Sequence, residues 1–286
     1  MASPGNKPLG SLQRELPFLK DFLDYHLAGY PRLYLFVERF REWVNWDKRV
    51  YLSFVRAGDT VLDVGANVGT HAVFFSHLVR ANGRVLAFEP LPPNIGALRE
   101  TIGRRSRAPN IRVIQRAVGN PAQAGSEVTI TAPGDDLTQA SLRRHDAGSW
   151  ETSPGIREYT VALTSLDSER EVQGLSSIDF VKIDVEGGEL DVLKGAVQTL
   201  GRHYPLVYCE VYEKWATSFG YTPGDLFAFA RSIGYTGVRA ISKGAVHALS
   251  LERSPPPGLF DTSSDVLFFT EKHRDAVDAF DKHYLS

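Results

Sequence analysis

The stretch from Val61 to Thr70 reads V-L-D-V-G-A-N-V-G-T. It predicts a short apolar strand that ends in a glycine turn and leads into an amphipathic helix. Gly65 and Gly69 allow the backbone to turn tightly and to approach a ligand closely. Asp63 stands at the tip of the strand, where a carboxylate can receive a cationic group. The pattern is typical of a loop that holds a nucleotide cofactor.

The same loop discriminates between cofactors. Dinucleotide-binding loops read G-x-G-x-x-G and offer backbone N–H groups to a pyrophosphate, whereas this loop reads D-x-G-x-N-x-G. An acid there repels a pyrophosphate but suits the amino group and the sulfonium of S-adenosylmethionine. The next predicted strand ends at Glu89, about 20 residues beyond the loop, the spacing expected for an acid that binds ribose hydroxyls. S-adenosylmethionine is therefore favoured over NAD, and an ordinary turn in another doubly wound protein is the alternative.

Composition limits the class of protein. The chain has 286 residues, of which 43% are hydrophobic, enough for one large domain with additions. Its net charge of −2 gives no basic excess, which makes nucleic acid a poor candidate partner. Cys209 is the only cysteine, and the N-terminus lacks the apolar core of a signal peptide. We predict a cytoplasmic protein without a membrane span or a nucleic-acid partner.

Residues 1–57 form a first segment, which is rich in aromatic residues between Ser11 and Arg56. Pro31 can begin a helix, because proline is tolerated in a first helical turn. We predict a helical extension that packs against the main domain, with a substrate lid or a contact between copies in a homo-oligomer as alternatives. Helical spacing is found in two sets of apolar residues: Leu16, Leu19, Leu23 and Leu27, then Leu33, Phe36, Val37 and Phe40.

Residues 58–286 are predicted as one α/β domain with a doubly wound, mainly parallel, Rossmann-like sheet. An insertion at about 132–157 interrupts it, with two antiparallel strands, E-V-T-I-T-A and Y-T-V-A-L, around a polar stretch that we interpret as a substrate-facing loop. The predicted strands of the sheet are Thr60 to Val64, Arg84 to Glu89, Ile111 to Ile114, Ser177 to Ile183, Leu206 to Val211 and, after a helix at Pro223 to Ser232, Asp265 to Thr270.

A second cluster of chemical groups follows the fourth strand, where Val181 to Leu190 reads V-K-I-D-V-E-G-G-E-L. The strand brings Asp184 and Glu186 to the carboxyl edge of the sheet, which is where ligands bind in such folds. The fifth strand ends in C-E-V-Y and places Glu210 at the same edge. Asp184, Glu186 and Glu210 are therefore predicted to converge, with Lys182 as the structural partner of an acid.

These residues resemble the FkbM-type S-adenosylmethionine-dependent methyltransferases over roughly Gly58 to Tyr212. The resemblance implies a class I methyltransferase sheet, S-adenosylmethionine as methyl donor, and O-methylation of a small-molecule hydroxyl on a sugar, glycoside or polyketide-like, macrolide-like natural product. It is carried by D-V-G-A-N-V-G, F-E-P, R-A-V-G, L-T-S-L-D, K-I-D-V-E-G-G-E, V-L-K-G-A and Y-P-L-V-Y-C-E.

Methyl transfer to a hydroxyl requires an in-line geometry, and it requires help with the hydroxyl proton, because an aliphatic hydroxyl is a weak acid. One possibility is that Asp184 and Glu210 hold Mg²⁺, a hard cation that prefers oxygen ligands. The other is that Glu186 or Asp184 acts directly as the base. His145 and His71 are further candidate bases.

The residues predicted to contact S-adenosylmethionine lie in the glycine loop and at the strand ends. Asn67 either offers its amide to the donor's carboxylate or only stabilises the turn. The resemblance puts Ala117 beside the adenine, with Gln115 or Arg116 near the ring edge. A catalytically silent donor-binding scaffold is the main alternative to an enzyme. The full predicted set is Asp63, Gly65, Asn67, Gly69, Thr70, His71, Glu89, Pro90, Gln115, Ala117 and Asp184.

Overall fold

The computed structural model describes residues 30–38, 45–106, 109–134, 136–145 and 149–285. The helices are α1 (Pro31–Glu38), α2 (Trp46–Phe54), α3 (Thr70–Val79), α4 (Pro92–Arg105), α5 (Ser149–Thr152), α6 (Arg170–Gln173), α7 (Glu189–Lys194), α8 (Val197–His203), α9 (Glu213–Ser218), α10 (Pro223–Ser232) and α11 (Arg274–Tyr284). The strands are β1 (Thr60–Val64), β2 (Arg84–Phe88), β3 (Ile111–Ile114), β4 (Ala117–Val118), β5 (Glu127–Pro133), β6 (Ile156–Thr164), β7 (Phe180–Ile183), β8 (Leu206–Val211), β9 (Gly237–Ser242), β10 (Ala245–Leu249) and β11 (Ser264–Phe269).

The main sheet has the strand order β10-β9-β11-β8-β7-β1-β2-β3. Five neighbouring strands pair in parallel, namely β8, β7, β1, β2 and β3. The strands β11, β9 and β10 add antiparallel pairs beyond β8. The chain order reverses at the β1–β7 pair, which is where ligands bind in open α/β sheets. The predicted doubly wound, mainly parallel sheet is confirmed.

Apolar clusters cover both faces of the sheet, which explains why its central strands are apolar almost throughout. On β1, Leu62 and Val64 join the cluster that contains residues of α7 and α10, whereas Val61 joins the cluster on the opposite face. That second cluster includes Phe75 of α3 and Phe280 of α11. Asp63 alternates with Leu62 along the strand and therefore points toward this second face.

The described part of the N-terminal segment packs against the second face. Helix α1 begins at Pro31, as predicted, and Asn45 caps α2 by accepting a hydrogen bond from Lys48 N at 3.2 Å. Tyr51 of α2 is fully buried, with its ring centroid 4.4 Å from that of Phe75. The predicted helical pattern at Leu16 to Leu27, like Phe40, lies outside the described residues.

The insertion is built on the antiparallel pair β5–β6, as predicted, and β4 pairs in parallel with β6. The polar stretch between β5 and β6, which we call the polar run, folds back onto β5. The backbone groups of Thr131 and Ser141 form a pair of hydrogen bonds of 2.9 Å each. The insertion therefore places its polar run next to the carboxyl edge of the main sheet, where Ser141 reaches Glu186.

Besides the short β4, two strands were missing from the prediction, β9 and β10. They form a hairpin whose two turn residues, Lys243 and Gly244, both have positive φ values of 50° and 80°. That conformation belongs to a tight two-residue turn, for which asparagine–glycine is the strong sequence signal and lysine–glycine is a weak one. Among the described residues, no helix is long and apolar enough to cross a membrane.

Candidate active site

The glycine loop after β1 is fixed by backbone contacts to the neighbouring strands. Gly65 has a φ of +81°, and a Cβ atom there would lie 1.8 Å from the carbonyl oxygen of Asp184. The N–H groups of Gly65 and Ala66 both donate to Phe88 O, at 3.0 and 2.8 Å. Only glycine at position 65 lets the loop lie this close to the end of β7.

Glu89 ties the second strand end to this loop. Its carboxylate is 4% exposed and accepts hydrogen bonds from Asn67 N at 2.9 Å, Leu91 N at 2.9 Å and Asn94 Nδ2 at 3.2 Å. Burial raises the pKa of Glu89, while these hydrogen bonds oppose the rise. The acid predicted to bind ribose thus also holds the loop, through the N–H of Asn67, a residue with a left-handed φ of 49°.

A cleft of about 760 Å³ opens beside the loop and Glu89, at the carboxyl ends of β1, β2 and β7. We call it the main cleft. Several residues of the polar run also line it, among them Thr138 and Ser141, and so does Arg116. The predicted site residues that line the main cleft are Gly65, Asn67, Glu89, Pro90, Ala117, Asp184 and Glu186.

Asp63 does not lie where we expected it. Its side chain is fully buried beneath the loop and is absent from the lining of the main cleft. The cation beside it is the Lys182 ammonium, 3.6 Å from Oδ1. Burial raises the pKa of Asp63 to about 6, although the charge of Lys182 opposes the rise. Asp63 therefore lies beside Lys182 beneath the loop, and neither of its oxygens accepts a hydrogen bond from a described residue.

Four other residues predicted to contact the cofactor also lie outside the lining of the main cleft. Gly69 and Thr70 begin α3, and a Cβ at Gly69 would lie 2.4 Å from Leu98 Cδ1, so this glycine is required for packing against α4. Gln115 is exposed, and its neighbour Arg116 lines the cleft in its place. His71 faces a different cavity, described below.

Three carboxylates converge as predicted. Asp184, Glu186 and Glu210 each offer an oxygen, and these oxygens lie within 4.8 Å of one another. Lys182 donates to Asp184 Oδ2 at 3.0 Å and to Gly65 O at 3.1 Å, which confirms it as the partner of an acid. Although burial lowers the pKa of Lys182, the charges of Asp184 and Asp63 outweigh it and raise the pKa overall.

The remaining two acids of this cluster are poorly compensated. Burial, followed by the charge of Asp184, raises the pKa values of both Glu186 and Glu210. Ser263 donates a hydrogen bond to Glu210, whereas Glu186 Oε2 is buried without a hydrogen-bond partner among the described residues. Acids that are buried this close together readily accept a proton or a cation.

His145 holds the backbone of Glu186 and does not line the main cleft. Its Nε2 donates to Glu186 O at 2.9 Å, and its ring stacks on Trp215 with centroids 5.0 Å apart. The Ser141 hydroxyl donates to the same carbonyl at 2.7 Å. Glu186 has a left-handed φ of 58°, an unfavourable conformation for a residue with a Cβ. His145 therefore holds the backbone at Glu186, and its role as a base stays a prediction.

A second cavity, of about 460 Å³, lies on the other side of Asp184. We call it the polar chamber. Asp184 is the one residue shared by its described lining and that of the main cleft. Sequence analysis missed Asp47 and Asp265 of this site, because they come from distant segments without a motif. The chamber is lined by Asp47, Tyr51, His71, Lys182, Ile183, Asp184, Tyr208, Glu210, Ser263 and Asp265.

His71 pairs with α2 in this chamber, its Nδ1 lying 2.9 Å from the Tyr51 hydroxyl. Burial lowers the pKa of His71, and the charges of Lys48 and Lys182 lower it further. The imidazole is therefore neutral and a weak base, which makes it less suited to proton abstraction than the carboxylates.

A family model described as a methyltransferase FkbM domain matches residues 63–236, more than half of the chain. The chain belongs to the FkbM methyltransferase family. It is therefore an S-adenosylmethionine-dependent methyltransferase, and its central sheet is the Rossmann-like sheet of class I enzymes. The FkbM match contains the glycine loop, Glu89 and the three converging carboxylates, but it excludes α2 and β11.

Two curated relatives of this FkbM protein have stated activities. The 31-O-demethyl-FK506 methyltransferase FkbM of Streptomyces tacrolimicus is 29% identical over 64% of this chain and 75% of its own length. The hexuronic acid methyltransferase AglP of Haloferax volcanii is 32% identical over 53% of this chain, which spans 56% of that protein. A solved FkbM methyltransferase from Methylobacillus flagellatus is 17% identical, with a TM-score of 0.44 over 92% of this chain and 61% of the other.

Proposed function

We propose that this S-adenosylmethionine-dependent O-methyltransferase methylates a hydroxyl of a sugar or of a polyketide-like natural product. The two relatives named above act on a macrolide and on a hexuronic acid, which supports this substrate class. The observation that carries the proposal is the convergence of Asp184, Glu186 and Glu210 where the main cleft meets the polar chamber. A carboxylate in such a group can accept the proton that a hydroxyl loses as its oxygen attacks.

The main cleft fits S-adenosylmethionine. Gly65 lets the loop backbone lie against the end of β7, because a Cβ there would collide with Asp184 O, and the loop lines the cleft. Glu89 Oε2 accepts a hydrogen bond from Asn67 N and keeps acceptor capacity for a ribose hydroxyl. Asn67 and Ala117 line the same cleft, as expected for residues near the methionine and adenine ends.

When it is bound, S-adenosylmethionine supplies an electrophilic methyl group on a sulfonium. The acceptor oxygen must approach in line with the S–CH₃ bond, so that positioning provides much of the acceleration. Asp184 lines both cavities, so an acceptor hydroxyl held where they meet would lie beside it. We assign to Asp184 the orientation of the acceptor hydroxyl.

Glu186 is the best-placed direct base. Its Oε2 has no hydrogen-bond partner among the described residues, and its pKa is raised by burial and by Asp184 and Glu210. A carboxylate with a raised pKa is a stronger base than one in water. Glu210 lies beside Glu186 as another carboxylate of the same cluster.

Mg²⁺ assistance is the second route. Three carboxylate oxygens within 4.8 Å of one another provide the oxygen ligands that a hard cation prefers, with Asp184 and Glu210 as the predicted pair. When bound, such a cation would acidify the acceptor hydroxyl. Lys182, 3.0 Å from Asp184, already provides positive charge at this place, which favours the direct-base route.

The test begins with calorimetric titration of chelator-treated protein with S-adenosylhomocysteine. Saturable binding at one site supports the assignment of the main cleft, and absence of binding by folded protein favours the scaffold alternative. Mass spectrometry of products from glycosides and macrolides, with and without Mg²⁺, then tests the acceptor class and the two routes. The cytoplasmic location, the homo-oligomer, the lack of a nucleic-acid partner and the boundary at residues 57–58 stay predictions.

A further inference from the structure

The polar chamber is built largely by segments outside the family domain. Asp47 and Tyr51 lie on α2, before the matched residues 63–236, and Ser263 and Asp265 lie after them. Strand β11 runs antiparallel to β8, which sets Asp265 directly opposite Glu210 at the carboxyl edge. The flanking segments thus add side chains to the same edge at which the family motif supplies Asp184 and Glu210.

The Tyr208 and Ser263 hydroxyls of the chamber are already engaged as hydrogen-bond donors. The Tyr208 hydroxyl donates to Asp47 Oδ1 at 2.8 Å. The Ser263 hydroxyl donates to Glu210, and Tyr51 pairs with His71. The lining therefore has an excess of acceptor oxygens, which a ligand rich in hydroxyl donors would satisfy.

The chamber offers no uncommitted positive charge within its described lining. Lys182 is its one permanent cation, and it is bound to Asp184, to Gly65 O and, at 3.6 Å, to Asp63. A carboxylate on a ligand would meet Asp47, Asp184, Glu210 and Asp265 without a counter-charge. An acid of the lining that takes up a proton still binds a hydroxyl, which both donates and accepts, but it gives a carboxylate no positive partner.

We propose that the polar chamber is the acceptor site, that it takes a polyhydroxylated ring without a negative charge, and that Asp47 and Asp265 determine this specificity. The proposal rests on the proposed function and adds to it the location and the charge of the acceptor. It sets this chain apart from the hexuronic acid methyltransferase among its relatives, whose acceptor is an acid.

The experiment compares matched pairs of probes: the methyl glycosides of glucose, galactose and mannose, and those of the corresponding uronic acids. Each pair differs only in a hydroxymethyl group against a carboxylate. Methyl transfer from radiolabelled S-adenosylmethionine is measured for the unaltered protein and for Asp47→Asn, Asp265→Asn and the double variant. Asp261→Asn is the control, because Asp261 is an exposed acid in the segment before β11 and lines neither cavity.

Titration with S-adenosylhomocysteine comes first, because it tests the proposed function separately from the assignment of the acceptor site. Failure of the unaltered protein to bind it contradicts the proposed function itself. Binding that is equal in all variants shows that they are folded and that the main cleft is intact, since neither Asp47 nor Asp265 lines it. Loss of this binding in either variant would contradict the separation of the two sites.

We expect neutral glycosides to be methylated with a kcat/KM at least about tenfold above that of the matched uronides. Each single variant should raise KM for the neutral probe by about five- to tenfold, through loss of a charge-assisted hydrogen bond, with kcat within about twofold. In the double variant, the ratio of kcat/KM between a neutral glycoside and its matched uronide should be smaller than in the unaltered protein. Preference for uronides, an unchanged KM in the variants, or no transfer to any neutral probe by protein that binds S-adenosylhomocysteine would each overturn the proposal.

Discussion

The main cleft and the polar chamber meet at Asp184 but are built in different ways. Backbone and glycine geometry shape the main cleft: Gly65 lies against Asp184 O, and Glu89 accepts hydrogen bonds from two backbone N–H groups. Side chains from five separate parts of the chain make the chamber, and four of its lining residues are acids. The difference teaches that a local motif suffices for the methyl donor, while the acceptor site requires the assembled sheet.

Glu210→Gln tests whether the two cavities can be separated functionally, with the largest expected effect. Turnover should fall by roughly 10²–10⁴-fold, because one carboxylate of the reacting cluster is neutralised. Affinity for S-adenosylhomocysteine should stay nearly unchanged, since Glu210 lines the polar chamber and not the main cleft. Kinetics and calorimetry on the same preparation give both values. Glu213→Gln, an exposed acid three residues later, is the control, and near-normal turnover in Glu210→Gln would remove its catalytic assignment.

Gly65→Ala tests the other side of the comparison. The added Cβ would lie 1.8 Å from Asp184 O, so that the loop must move and affinity for S-adenosylhomocysteine should fall by roughly 100-fold. Gly58→Ala separates backbone strain from collision, because Gly58 also has a positive φ, of +96°, but has nothing within 4 Å of its Cβ position. If calorimetry gave equal affinities for S-adenosylhomocysteine in the two variants, the collision with Asp184 O would not be the cause of the loss, and backbone strain alone would explain it.

The pH dependence of turnover reports on the acids between the cavities. Burial and mutual repulsion raise the pKa values of Glu186 and Glu210, and a base must be deprotonated to accept a proton. Turnover should therefore rise with pH, by up to about tenfold per pH unit, starting well above the ordinary range of a glutamate. Rates across a pH series with and without Mg²⁺ check this. A shift of the rise to lower pH on adding Mg²⁺ would favour the metal route, because a cation stabilises the charged carboxylates.

His145 gives the smallest expected effect, because it acts on Glu186 only through the backbone. His145→Phe keeps a ring beside Trp215 but removes the donor to Glu186 O, and kcat should fall by about three- to tenfold. His145→Gln, which retains a donor, should recover part of the loss. Steady-state kinetics distinguish this from the original prediction: a loss of roughly 10²–10⁴-fold in both variants would return His145 to the role of base.

Prediction from sequence succeeded where residues close in the chain determine the geometry. The bounds of β1, β3, β8 and α10 matched, as did the convergence of Asp184, Glu186 and Glu210. These predictions depend on apolar runs and on the shared edge at which parallel strands end. The sequence did not reveal the partners of Asp63 and His145, since burial and the choice of partner depend on which side chains the fold brings nearby.

The sequence by itself determined the cofactor loop, the order of strands and helices, and the strand ends that carry acids, because short-range periodicity and glycine positions specify them. Only the tertiary structure decided that Lys182 is the cation beside Asp63, that Ser141 and His145 hold Glu186, and that Asp47 and Asp265 face Glu210 across a chamber. Asp47 and Asp265 are more than 200 residues apart in the chain. Their proximity arises from the pairing of β11 with β8 and from the burial of α2 against the sheet, which no local pattern encodes.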